Sequence, residues 1–355
     1  MTISFLQLLD LFKVVASGIV AAVVLSPVAI WIARRTGLVD IPGAAAHKQH
    51  IRPTPLAGGI ALALSALALL TVFRLWEKPF SNLLAATAIV LVFGILDDAK
   101  GLSAPQKLIG QILASVVLIA SGISVKFLSG FSISFLSSGL TTVLNWIITI
   151  FWLVGITNAI NLVDSMDGLA AGISGIAFAF FMGMTLVAEQ SALARFSGIF
   201  FGICIGLYIY NITPARLFLG DSGVQALGFI LAAVAMIYSP HNLPQASSWF
   251  VPIMVLGVPI FDTTLVVVSR LRHRRSIFHA DLAHTYHRLV ALGFDPGRAV
   301  LVIHIASLTL NFLAFIALSL VPWQANLVFG LVVVAGIALL IIFEQKSQIP
   351  GDIHG

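Results

Sequence analysis

Charge is what this chain has least of. Only 9% of its 355 residues are Asp, Glu, Lys or Arg, against 59% hydrophobic residues and a mean hydropathy of +1.06. A soluble domain carries about 25% charged residues, so the composition excludes a soluble globule and makes the bilayer the solvent that dictates architecture. Cysteine is nearly absent as well. Cys204 stands alone in the apolar run FGICIGLY, which excludes a disulfide within the chain and leaves the redox compartment unread; it reads as a small buried or lipid-facing residue. The N-terminus has neither the basic region nor the small-residue cleavage site of a secretory leader, so the first apolar run is expected to stay as a membrane helix. No repeat stands out. A net charge of +5 and a pI near 9.6 would suit nucleic acid, but the basic residues flank apolar runs in the positive-inside manner. Membrane lipid, and no nucleic acid, is the expected surroundings.

A helix needs about 20 apolar residues to cross the ~30 Å hydrocarbon core at 1.5 Å per residue. Runs near 5–33, 56–75, 82–96, 106–122, 139–157, 168–188, 193–210, 222–238, 249–269, 299–321 and 324–343 meet or approach that length, the third being short. The expected fold is therefore all-α, a polytopic integral membrane protein of about eleven helices, with 1–355 as a single domain. With the N-terminus outside, inner segments hold 14 of the 19 Lys and Arg residues, outer segments four, and Lys13 lies within the first span, three residues after Asp10 and in reach of it. That excess sets the orientation. The weakly alternating segment from Val125 to Ser138 is expected to form an outer hairpin or a surface-lying piece.

Against so little charge, five acids at span ends on the inner face are conspicuous: Asp97 and Asp98 in GILDDAKG, Asp164 and Asp167 in NAINLVDSMDGLAAG, and Asp221 in FLGDSG. Adjacent helical residues point about 100° apart, so Asp97 and Asp98 suit two tasks better than one shared grip; a plain helix end explains them equally well. Asn158, Asn161, Asp164 and Asp167 recur every third residue, with Gly168 and Gly172 allowing close backbone approach. A capping cluster explains one or two of these four residues, not all. Asp221 could simply cap the eighth span, but its flanking Gly220 and Gly223 favour a ligand role. Two negative charges about 5 Å apart repel by roughly 3 kcal/mol at an effective dielectric of 20. If these carboxylates converge, they expel an anionic substrate unless a divalent cation reverses the sign. Oxygen ligands facing a phosphate favour Mg²⁺, or Mn²⁺, over zinc.

Two inner loops are basic. The first, HKQHIRPTPLAGG, offers Lys48, His50 and Arg52 before a stiff Pro53-x-Pro55 and a glycine pair; anion binding and a merely interfacial loop are balanced readings. The longest, 270–298, is expected to recognise substrate. It holds His284 and His287 one helical turn apart, with Arg288 beside them. Lacking a His-x-x-x-His pair, it suits an anion better than zinc. The run Arg270 to Arg275 needs no role beyond orientation and contact with anionic headgroups.

At these residues the chain resembles the polyprenyl-phosphate N-acetylhexosamine-1-phosphate transferases, in the branch similar to undecaprenyl-phosphate GlcNAc-1-phosphate transferases. The match runs in order through Lys48-x-His50-x-x-Pro53-x-Pro55-x-x-Gly58-Gly59, Gly94-Ile-Leu-Asp97-Asp98, KLIGQ from Lys107 to Gln111, Asn158-Ala-Ile-Asn161-Leu-Val-Asp164-x-x-Asp167-Gly168-Leu169, Phe218-Leu-Gly-Asp221-Ser-Gly223 and His284-x-x-His287-Arg288-Leu289. The resemblance implies a reaction at the cytoplasmic face of the cell membrane. Polyprenyl (undecaprenyl) phosphate attacks the β-phosphorus of a UDP-amino-sugar, giving polyprenyl-diphospho-sugar and UMP with Mg²⁺ required, as the first step of a cell-envelope glycan such as lipopolysaccharide or teichoic acid. It implies Asp97 and Asp98 as catalytic, Asn161 and Asp221 at the metal and diphosphate, and Lys48, His50, Lys107, Asn158, Asp164, Asp167, His284, His287 and Arg288 as substrate-binding. UDP-GlcNAc is the first expectation for the sugar. The histidine run of that branch reads His284-Thr-Tyr286-His287 here and Leu56 replaces an arginine, so UDP-linked QuiNAc, FucNAc or GalNAc follow closely; the MurNAc-pentapeptide signature is missing. A homodimer is compatible with this kind of protein, although no residue identifies one.

The rival from another class is a transporter. Its charges should lie near the bilayer midplane on interrupted helices, whereas these acids stand at span ends. Asp262, inside the ninth span, is the residue that suits that rival best. A lipid-phosphate hydrolase, releasing inorganic phosphate, is a third reading.

Overall fold

The computed structural model describes residues 4–42, 53–126, 128, 137–240, 248–274, 276 and 284–346. Lys48, His50 and most of the expected hairpin at 125–138 lie outside them. The described chain is an all-helical polytopic membrane protein. It forms two compact units, Met1–Pro240 and His241–Gly355.

The first unit contains α1 (Phe5–Thr36), β1 (Val39–Asp40), β2 (Thr54–Pro55), α2 (Gly58–Val72), α3 (Phe80–Lys100), α4 (Ala104–Ala120), α5 (Ser138–Val163), α6 (Leu169–Val187), α7 (Ser191–Asn211) and α8 (Gly220–Ile237). The second contains α9 (Val251–Val255), α10 (Gly257–Arg272), α11 (Thr285–Ala291), α12 (Pro296–Ala317) and α13 (Pro322–Lys346). Among the described residues, eight helices are long and apolar enough to span a bilayer, while α2 and α4 are shorter apolar helices. Each expected span coincides with a helix, except that the ninth is broken into α9 and α10. Pro259 stands in the first turn of α10, where its ring and missing amide keep it from bonding the carbonyl of Val255, which accepts from Asn311 Nδ2–H at 3.2 Å instead; α1, by contrast, runs on through Pro27.

α8 is the axis of the first unit. Every residue from Ser222 to Ala235 is buried, and α2, α3, α5 and α6 all pack on it. A helix apolar all round belongs inside a bundle. Small residues set the closest approaches, as membrane packing prefers. A Cβ on Gly94 of α3 would meet Ser222 Cα, and one on Gly58 of α2 would meet Leu219 Cα. At the other end of the bundle Asp10 pairs with Arg195 Nε of α7 at 3.2 Å, a partner in space rather than the neighbouring Lys13.

The two short strands have a positional purpose. β1 and β2 pair antiparallel, Val39 with Pro55 and Asp40 with Thr54. Beyond them Phe218 N–H donates to Pro55 O at 2.9 Å, and Phe218 O accepts from Ala57 N–H at 3.2 Å and Gly58 N–H at 3.0 Å. The proline-glycine end of the first basic loop is thereby fastened to the segment that leads into Asp221.

Candidate active site

The first turn of α8 is where distant segments meet. Free amides at a helix start need acceptors, and here Asp98, from the far end of α3, supplies them. Its Oδ1 accepts from Asp221 N–H at 2.7 Å, and its Oδ2 accepts from Ser222 N–H at 3.1 Å and Ser222 Oγ–H at 2.6 Å. Gly220 precedes that turn with φ +68, and a Cβ there would press on Asp98 Oδ2 at 2.7 Å; both the left-handed backbone and the crowding require glycine. The cap of α8 is therefore Asp98 rather than Asp221, whose side chain is released for other contacts. Beside Asp97 in the sequence, Asp98 does a different task, and three donors already occupy its carboxylate.

Asp97 is buried at 6% exposure. Leu102 N–H fixes its Oδ1 at 2.7 Å, and Oδ2 forms a close ion pair with Lys107 of α4. The same Lys107 Nζ lies 3.5 Å from Asp221 Oδ1, so one ammonium stands between two carboxylates from α3 and α8. Asn161, near the end of α5, donates Nδ2–H to Asp221 Oδ1 at 2.5 Å. Asp97, Asp98, Lys107, Asn161 and Asp221 thus come together from four helices.

Asp164 follows directly after α5. Its side chain keeps some exposure, yet its packed surroundings desolvate it, and the negative charges of Asp221 and Asp167 add to that, pushing its pKa up to about 7. Asp167 accepts from Thr213 Oγ1–H at 3.2 Å. Asn158 lies one turn before Asn161 and faces inward, paired with Gln111. The turn after α5 is held by Asn211, a residue in no motif of the sequence: its Oδ1 accepts from Gly168 N–H at 3.0 Å while its Nδ2 donates to Leu217 O at 3.0 Å.

In the second unit, Asp262 of α10 is buried at 2% exposure. It accepts from Thr285 N–H at 2.6 Å and pairs with His284 Nδ1 at 2.9 Å. That acid anchors a histidine at the start of α11, which is not the isolated midplane charge a transporter would present. The His287 ring centroid lies 6.3 Å from that of His284. Arg288 is buried and turned to the last helix, with Nη2 to Glu344 Oε1 at 2.6 Å and Nη1 to Phe343 O at 2.9 Å. Glu344 also takes Arg272 at 3.3 Å. Glu344 and Asp262 were not among the expected site residues; each is an acid within an apolar run, which is the available signal.

The donor set can be tested against a cation. Asp97, Asp221 and Asn161 offer oxygen only, and the acids around them outnumber the ammonium that they share. No group of three or more His, Cys, Asp or Glu closes round one point among the described residues. Oxygen donors of this kind fit Mg²⁺, which uses one or two carboxylates and keeps waters and substrate phosphates for the rest, better than zinc, which takes nitrogen and sulfur ligands.

Comparison with known proteins gives the family. Residues 80–239 match the family model described as glycosyl transferase family 4. A probable undecaprenyl-phosphate N-acetylglucosaminyl 1-phosphate transferase of Bacillus subtilis is 31% identical over 332 residues, covering 92% of this chain and 88% of the relative. A decaprenyl-phosphate N-acetylglucosaminephosphotransferase of Mycobacterium tuberculosis is 31% identical over 354 residues, 89% of this chain and 85% of the relative. A phospho-N-acetylmuramoyl-pentapeptide-transferase of Desulforudis audaxviator is 30% identical over 335 residues, with 86% and 97% covered. The matched stretch runs from α3 through α8, the helices that assemble the acidic site, and the relatives align over most of their length: the chain belongs to glycosyl transferase family 4.

Proposed function

We propose that this chain transfers an N-acetylhexosamine 1-phosphate, GlcNAc 1-phosphate first among them, from a UDP-sugar to a polyprenyl phosphate. The products are a polyprenyl-diphospho-sugar and UMP, and the reaction takes place at the cytoplasmic face of the cell membrane. The names of the relatives support the lipid acceptor and the sugar-phosphate donor. The observation that carries the chemistry is the Asp97–Lys107–Asp221 arrangement, one ammonium held between two carboxylates at the end of membrane-spanning helices.

Phosphoryl transfer asks a protein chiefly for position and charge neutralisation. Mg²⁺, held by Asp221 and Asn161, would supply neutralisation at the diphosphate oxygens. Lys107 has a flexible stem and a point charge, so it can leave its carboxylates for an arriving phosphate. That departure frees Asp97 Oδ2. The Leu102 amide holds the carboxyl in place, and Asp97 then orients the lipid phosphate and takes its proton. An oxygen of that phosphate attacks the sugar-bearing phosphorus, the bond from that phosphorus to the bridging oxygen breaks, and UMP carries the bridging oxygen away. Asp98 acts at one remove by fixing the turn that presents Asp221. Asp164 and Asp167 border the site where the nucleotide would lie. Lys48 and His50 fall outside the described residues, and we assign them to the substrate phosphates through the loop that ends at Pro53.

The test is direct. Full-length protein in nanodiscs with undecaprenyl phosphate, Mg²⁺ and a panel of UDP-amino-sugars is expected to release UMP, and EDTA to abolish the release. Asp97→Asn should lower kcat by about 10²-fold or more, the scale of a positioned acid-base group. Inorganic phosphate in place of UMP, or full activity of the Asp97 variant, defeats the reading.

A further inference from the structure

Behind Asp221 lies a line of amides: Gln111 closes the KLIGQ motif and Asn158 opens another, while Gln225 belongs to none. Gln225, one turn along α8, donates Nε2–H to Asp221 Oδ1 at 3.2 Å. Its own Oε1 accepts from Gln111 Nε2–H of α4 at 3.0 Å. Gln111 and Asn158 of α5 face each other as a reciprocal pair: Asn158 Nδ2–H to Gln111 Oε1 at 2.7 Å, and Gln111 Nε2–H to Asn158 Oδ1 at 3.3 Å. Asn158 Nδ2 ends the line on Val154 O at 2.8 Å. Gln111 and Gln225 are each 1% exposed.

The direction of this line is not a matter of amide assignment. A backbone carbonyl can only accept, so Asn158 must turn its NH₂ toward Val154 and Gln111. An ionised carboxylate can only accept, so Gln225 must turn its NH₂ toward Asp221. With both ends fixed, each amide between them has one orientation that satisfies it. Both hydrogens of the Gln111 amide and both of the Asn158 amide are used. Burying two glutamine amides, with a third half-buried beside them, is costly unless they are paired, and a satisfied network in a low dielectric is stiff. Leucine at these positions would pack without that requirement. The donors of Asn161, Gln225 and Lys107 all converge on Oδ1 of Asp221; none of them takes Oδ2.

We propose that Gln225 and Gln111, backed by Asn158, are positioning residues that lock the Asp221 carboxylate through Oδ1 and so present Oδ2 to a divalent cation. The proposal rests on the transferase reading for its purpose, but not for its test. Asn158 is then a supporting residue rather than a substrate contact.

The probe is Mn²⁺ alone, titrated into the full-length protein in detergent without substrates and followed by electron paramagnetic resonance. Thermal midpoints and UMP-release kinetics accompany it. Gln225→Met removes the donor and should weaken Mn²⁺ binding by about tenfold, the lower end of what outer partners of a metal ligand contribute. Gln111→Met, which leaves Gln225 free to turn, should shift affinity in the same direction by less. Both should lower kcat while the KM for the sugar nucleotide stays within about twofold. The triple variant Asn158→Leu/Gln111→Leu/Gln225→Leu leaves no amide unpaired. It should regain the thermal midpoint lost in Gln225→Met without regaining Mn²⁺ affinity, because the donor to Asp221 is still gone. Unchanged affinity in both single variants, a wild-type protein that binds no Mn²⁺, or a triple variant that regains affinity along with stability would each overturn the proposal. A wild-type protein that binds Mn²⁺ in this Gln-dependent way yet releases no UMP sustains the positioning role and defeats the transferase reading instead.

Discussion

At the scale of single residues, neighbours in sequence divide their labour. Asp97 looks toward Lys107 and Asp98 toward the amides of Asp221 and Ser222, as their 100° separation on a helix allows. Asp98→Ala should therefore behave as the loss of a helix cap in trans. Substituting a capping side chain costs about 1 kcal/mol and up to about 2, so the variant should melt lower than wild type, whereas Asp97→Asn loses activity at nearly unchanged melting temperature. Asp164 gives a pH signature. Its folded pKa of about 7 lies above the ordinary 3.8, so the fold favours the neutral carboxyl. That contribution to stability is present below 3.8 and is lost as pH rises through about 7. Asp164→Asn should accordingly match wild type below about 3.8 and become increasingly the more stable protein as pH rises from there to about 7, in melts followed from about pH 3.5 to 8. Added Mg²⁺ should narrow that gap by neutralising the surrounding charge.

At the scale of elements, hydropathy located the helices but not their ends. α3 continues through Asp97, Asp98 and Lys100, because a helix leaving the lipid need not stop where its side chains turn polar. Pro259 marks the interruption between α9 and α10, but Pro27 interrupts nothing in α1, and the apolar run masks the break when only hydropathy is followed. The acids and Asn161 were legible because polar residues at span ends break the pattern, whereas Lys107 stood out only through the family resemblance. Gln225 was not legible, and Gln111 entered only as the last residue of KLIGQ, since an uncharged amide barely dents a hydrophobic average and the two lie 114 residues apart in sequence. Following two histidines, Arg288 has the look of a substrate contact in the sequence; only the fold brings Glu344 to it. That pair predicts a non-additive cycle in the second unit. Breaking a buried ion pair from one side costs about 3–5 kcal/mol, while replacing both partners by apolar residues is often neutral. Arg288→Met and Glu344→Met should each be strongly destabilising, and the double variant distinctly less so than either, in denaturation of the detergent-solubilised protein.

For the whole molecule, the arithmetic of basic residues predicts one orientation in the bilayer, with the acidic site toward the cytoplasm. Cys204 is the single cysteine and is buried, so the native protein offers a quiet background for labelling. Lys100→Cys, after α3, should react with an impermeant maleimide from the cytoplasmic side alone, and Glu77→Cys, before α3, from the outer side alone. The reverse pattern would put the acidic site on the wrong face for a cytoplasmic nucleotide sugar. The general plan of such a molecule is readable in one dimension because lipid imposes length and polarity on every crossing. What lipid does not impose is which helix goes inside; α8 is enclosed through Gly58 and Gly94, and their contacts with it exist only in three dimensions.

The stitching of Phe218 to Pro55, Ala57 and Gly58 carries a consequence for heredity. Two stretches some 160 residues apart share one set of backbone bonds and two tight glycine contacts, Gly58 on Leu219 and Gly59 on Ser222, so neither can drift alone. Among descendants of this sequence, changes at 55–59 and at 218–222 should arrive as matched pairs, inherited as if they were a single loop.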